Sequence, residues 1–116
     1  MIFQKHITLL LCLLTNTFIL AKTIVIVNHS PDTLLLSNTV CVSGQPNLKT
    51  PSTFPANQTQ QGTLTGNDRC MLVFNQQAYG LGIQLDNRTG NLKITCSGQS
   101  IYKCQQIENN SVTITR

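Results

Sequence analysis

The sequence predicts an all-β domain, a small antiparallel β-sandwich or small barrel of about seven short strands linked by disulfides. Three observations predict it. Apolar and polar residues alternate with a period of two through much of the chain. Turn residues interrupt that alternation about every eight to twelve positions. An even set of cysteines, Cys41, Cys70, Cys96 and Cys104, follows the amino-terminal segment, and no stretch carries a sustained 3.6-residue apolar period.

Residues 1–21 stand apart from this pattern. A short basic lead containing Lys5 and His6 precedes the apolar run of residues 7–14, and Phe18-Ile19-Leu20-Ala21 ends on a small residue before Lys22. That order predicts a signal peptide cleaved after Ala21, with a single domain over residues 22–116 that is secreted or periplasmic. Residues 7–27 approach the length of a membrane-crossing helix. Asn16 and Lys22 interrupt them, however, and the β-branched Ile24-Val25-Ile26-Val27 suits a strand. No transmembrane segment is therefore expected in the mature form.

Residues 23–28, apolar on both faces, read as a central strand. Residues 33–37 and 38–42 form one broken strand or two short ones. Residues 43–61 contain Pro46, Pro51 and Pro55 and read as a long loop or irregular edge, with a short strand at 62–66 and another at 69–74. Residues 79–85 point Leu81, Ile83 and Leu85 to one side, opposite Gly80, Gly82 and Gln84. After a turn ending in Gly90, Leu92, Ile94 and Cys96 repeat the comb, which predicts a hairpin. A turn at 97–99, a strand at 100–107, a turn at 108–110 and a last strand at 111–116 complete a four-strand meander.

Four cysteines in a small exported domain predict two disulfides. Three pairings are open; Cys96 and Cys104 flank Gly98 and favour a hairpin clip, leaving Cys41 with Cys70. Their spacings contain no C-x-x-C pair, and His29 is remote from them, so neither a metal nor another cofactor is expected. The carboxylates available for acid–base chemistry are Asp32, Asp68, Asp86 and Glu108, each at a turn or strand boundary. With no oriented partner for His29, no catalytic set is evident and an enzyme is not expected. Gly80-Leu81-Gly82 lies within a strand, where bare backbone suits close packing or the approach of a ligand.

The full chain carries a net charge of +4, which removal of Lys5 lowers by one. The basic residues are scattered, which disfavours nucleic acid as a partner. Arg88 in the hairpin turn, with Lys93 and Lys103 on strands expected to adjoin, would form a small basic face, flanked by Asn87 and Thr89. Four Asn-x-Ser/Thr sequences begin at Asn28, Asn57, Asn87 and Asn109.

These features together predict a secreted binding module. It would recognise an anionic or polar partner (a lipid headgroup, a glycan or a protein) through this basic face and its loops. A bacterial factor exported to act on a host or neighbouring cell is the concrete form. A structural component of an envelope or extracellular assembly and a small secreted hydrolase are the alternatives.

Overall fold

The computed structural model describes residues 20–76, 79–98 and 101–116. Most of the expected signal peptide therefore lies outside the described residues, as do Gln99 of the turn expected at 97–99 and Ser100 of the strand expected after it. Among the described residues there are ten strands. They are β1 (Ala21–Asn28), β2 (Leu34–Cys41), β3 (Leu48–Lys49), β4 (Thr53–Phe54), β5 (Gln58–Thr65), β6 (Arg69–Gln76), β7 (Tyr79–Asp86), β8 (Lys93–Ser97), β9 (Lys103–Glu108) and β10 (Ser111–Thr115). No helix of these residues is long and apolar enough to cross a membrane.

The strands form two five-stranded sheets, β3-β5-β1-β10-β9 and β4-β2-β6-β7-β8, packed in a sandwich-like arrangement. Ten strands replace the expected seven or so. The proline-bearing segment 43–61 contributes two two-residue strands and the start of β5, whose Gln58-Thr59-Gln60-Gln61 has no apolar comb to reveal it. The first sheet is mixed: β1 pairs antiparallel with β5 but parallel with β10. Bordered on both sides, β1 is the interior strand that its apolar run implies. A register shift in β2 between Leu36 and Asn38 accounts for its broken pattern.

The expected meander is interrupted at one joint. β7 pairs with β8 and β9 with β10, yet β8 and β9 are the edges of different sheets. Alternation reports which face of a strand is buried, not which strand lies beside it, so the sequence pattern is blind to this separation. The Cys96–Cys104 disulfide joins the two edges and so fastens one sheet to the other, where a hairpin clip was expected. Gln106 reinforces the seam. Its Oε1 accepts from the Ile94 N–H at 2.9 Å, and its Nε2 donates to the Leu92 carbonyl at 3.0 Å. A side chain on β9 thus occupies backbone groups that an open β8 edge would expose. The Cys41–Cys70 disulfide instead lies within the second sheet, between directly opposed residues of β2 and β6.

Between the sheets, Ile24, Ile26, Leu64, Val112 and Ile114 meet Leu34, Leu72, Phe74, Ile83 and Leu85, all buried. Phe54 from β4 packs edge-to-face on Phe74 with ring centroids 5.2 Å apart. Polar residues close this core at both ends of β1. Its inward comb runs Lys22, Ile24, Ile26, Asn28, and the two terminal members meet opposite loops. Asn28 is fully buried; its Nδ2 donates to the carbonyls of Asp32 and Phe54 at 2.8 and 3.0 Å, while Oδ1 accepts from Ser30. Lys22, at the other end, builds the site described next.

Candidate functional site

Three chain segments converge where β1 begins. They are the Lys22-Thr23 start of β1, the β7–β8 turn around Gly90-Asn91-Leu92, and the β9–β10 turn at Asn109-Asn110, which together line a cleft of about 430 Å³. This volume lies within the range of small-molecule sites.

Lys22 forms part of its wall. Because its side chain points inward on β1, the ammonium leaves the sandwich between the sheets. Nζ donates to Asn87 Oδ1 at 2.8 Å and to the Gly90 carbonyl at 2.7 Å. An ammonium has three N–H donors, so one remains beyond these two contacts. Asn87 is buried and also fixed by its own Nδ2, which donates to the Gly66 carbonyl at 3.0 Å. The turn is closed by the Gly90 N–H on the Asn87 carbonyl at 3.1 Å. Gly90 has a φ of +88°, a conformation glycine adopts without a side-chain penalty. On the facing wall, Asn110 Nδ2 donates to the Thr23 carbonyl at 2.7 Å. The exposed side chains of Asn91 and Asn109 have no hydrogen-bond partner among the described residues and border the cleft. The arrangement offers one immobilised cation, carboxamide donors and acceptors, and a half-buried apolar wall at Leu92.

The residues singled out from sequence are dispersed around this site. Arg88 is exposed but forms an ion pair with Asp86 at 2.8 Å, two residues earlier in the chain. Its hydrogen bond holds the Asp86 carboxyl at about 2, well below the usual 3.8. Thr89 bonds within its own turn, accepting from the Asn91 N–H at 3.4 Å. Asn87 is a buried structural residue, where a loop contact was expected. Lys93 and Lys103 are both exposed, but they lie on the edges of different sheets. The Cys96–Cys104 and Ile94–Gln106 contacts set β8 and β9 antiparallel. The two lysines are therefore offset by about four residues along the strands, roughly 13 Å. The β8–β9 pairing on which the expected basic face rested is not present among the described residues. Lys93 adjoins the cleft at Leu92, whereas Lys103 is at the far end of β9.

The carboxylates are also separated. Asp32 accepts from Tyr102 Oη at 2.7 Å and pairs with Arg116 at 3.0 Å. Asp68, buried beside the β2–β6 disulfide, accepts from the Ser43 hydroxyl, from Asn47 Nδ2 at 2.9 Å and from the Arg69 N–H at 2.7 Å. Burial pushes its pKa up, but these hydrogen bonds outweigh that effect and hold it below 3.8. Cys41, Asp68 and Cys70 bring potential metal-ligand atoms within 4.8 Å of one another. With the two sulfurs joined, neither is the thiolate a metal requires, and the carboxylate is already engaged. His29 is exposed at the end of β1.

Gly82 is a point of close packing: a β-carbon there would stand 2.8 Å from Ser97 Oγ and 3.3 Å from Met71 Sδ. Among the four Asn-x-Ser/Thr sequences, Asn28 and Asn87 are buried, while Asn57 and Asn109 are exposed.

Comparison of the chain with protein-family models, curated proteins and solved structures returns no match.

Proposed function

We propose that the protein is an exported binding module that recognises a polar or anionic partner at the cleft where β1 and the two turns meet. One observation carries the reading. Lys22 is held in place by two acceptors of the β7–β8 turn, Asn87 and Gly90, at the wall of a concave site, beside the Asn91 and Asn109 side chains, which bond no other described residue. Fixing a cation before the ligand arrives lowers the ordering cost of binding. The disulfide and Gln106 seam keeps the turns of both sheets in register, as a loop-borne site on a rigid scaffold requires. Export rests on the basic lead, apolar run and small residue in positions 1–21. The test is an unbiased panel of glycans, lipid headgroups and proteins probed with the purified protein and with an Asn91→Ala/Asn109→Ala variant. Hits lost in the variant support the cleft; hits that it retains in full contradict it.

Assembly is the second reading, favoured by Leu35, Val40 and Val42, which are exposed along β2 and the residue that follows it. The same border is partly guarded against strand addition. Asn38 Oδ1 accepts from the Thr39 N–H at 2.9 Å, and the Gly44 N–H donates to the Cys41 carbonyl at 3.0 Å. A concentration-dependent dimer in sedimentation, abolished by Val40→Lys, would move this reading ahead.

A further inference from the structure

We infer that the cleft takes a saccharide bearing one singly charged acid group, a carboxylate or a sulfate monoester. The inference rests on the proposed reading of the cleft as the binding site and names the chemistry that its residues fit. Charge is the first argument. Lys22 is the one cation among the described residues that line the cleft, and Asn87 and Gly90 use two of its donors. The site thus presents a single positive charge with one remaining N–H, which matches a monoanion and falls short of a polyphosphate, for which several cations or a metal are the usual clamp.

The neutral groups supply the second argument. Asn91 and Asn109 each offer a carboxamide with both donor and acceptor capacity, and neither side chain is engaged within the described protein. Vicinal hydroxyls, which donate and accept at close spacing, suit such groups better than an aliphatic chain does. Leu92 provides an apolar surface for the C–H face of a sugar ring, and about 430 Å³ accommodates one or two rings.

The experiment is an NMR titration of the purified protein with three saccharides of equal length: a galactan fragment ending in one galacturonate residue, the same fragment carrying one sulfate ester, and the neutral galactan. A glutamate-rich peptide serves as the fourth arm. The expected result is binding of one or both acidic saccharides, with shifts at the amides of residues 22–23, 90–92 and 109–110. The neutral saccharide should bind about ten-fold more weakly, as loss of a charge-assisted hydrogen bond implies. The carboxylated and sulfated arms identify which acid group is preferred. Lys22→Met should abolish the difference between acidic and neutral ligands. Because this change also removes two internal bonds, Asn91→Asp/Asn109→Asp provides a second test at exposed positions. It should weaken the acidic ligand several-fold more than the neutral one, which loses only the carboxamide donors.

Equal affinity for acidic and neutral saccharides, or equal binding of the peptide, with shifts at the same amides would overturn the saccharide-acid inference and leave the cleft as the site. Shifts confined to other surfaces with every ligand would overturn both.

Discussion

Lys22 on the first strand is fastened to Asn87, 65 positions later, by a 2.8 Å hydrogen bond from Nζ to Oδ1. The contact crosses from one sheet to a turn of the other, so the residue that shapes the cleft also closes one end of the core. Replacing Asn87 by alanine would leave Lys22 and the Gly66 carbonyl each short of a partner. The expected cost is about 1–2 kcal/mol, the net worth of two hydrogen bonds whose remaining partners are only part-buried. Urea unfolding of Asn87→Ala measures it; a change below a few tenths of a kcal/mol would show the contact to be incidental.

The same pair shows what the sequence could and could not reveal. Lys22 falls in phase with Ile24, Ile26 and Asn28, so a cation on the buried comb was visible to alternation. Its position beside the predicted cleavage site suits export equally well, and alternation alone does not separate the two roles. Asn87 looked like a turn residue, and its burial depends on a lysine far away in the chain. The strands with apolar combs, β7 and β8 above all, were legible because burial on one face is a local signal. β3, β4, the parallel β1–β10 pairing and the separation of β8 from β9 were not. They depend on packing between distant segments.

The seam between β8 and β9 sets the second expectation. Replacing Cys96 and Cys104 together by serine should cost about 2–3 kcal/mol by the loop-entropy relation, and replacing Cys41 and Cys70 about 3–4 because their loop is longer. Denaturant midpoints for the two double variants supply the comparison. Thiol labelling of the unreduced, denatured mature protein should give no adduct. Gln106→Leu should cost about 1–3 kcal/mol on its own by leaving the Ile94 N–H and Leu92 carbonyl without their partner.

Acid should weaken the fold through Asp68 and Asp86. Both carboxyls are held below their ordinary 3.8 in the folded chain, Asp86 at about 2. Each therefore contributes stability that is present above about pH 4 and is lost as pH falls through its lowered folded-state value, about 2 for Asp86. Unfolding free energies measured from pH 7 down to pH 2 should decline through that window. Asp68→Asn should flatten part of the decline. A wild-type profile that is level from pH 5 to 2 would contradict the assignment.

Export has a direct check. Protein recovered from the medium or periplasm should have the intact mass of a chain beginning at Lys22 with both disulfides formed. Retention of residues 1–21 in a membrane fraction would replace the signal peptide with an anchor.

Arg88, Lys93 and Lys103 should matter less than Lys22. Arg88 is engaged by Asp86, and the two lysines are too far apart to grip one small ligand, so the triple alanine variant should chiefly reduce the salt dependence of encounter. Binding measured at two ionic strengths separates the cases. A loss of affinity larger than that of Lys22→Met would return the basic residues to the centre of recognition.

Recognition is proposed to take place in the cleft between the start of β1 and the two turns. Amide shift mapping with a ligand found in the unbiased panel tests it most directly. The largest perturbations should fall on Lys22, Thr23, Gly90–Leu92, Asn109 and Asn110, and Asn91→Ala/Asn109→Ala should diminish them. Perturbations centred instead on Val40, Met71 and Gly82, unchanged in that variant, would place recognition on the outer face of the second sheet and contradict the account.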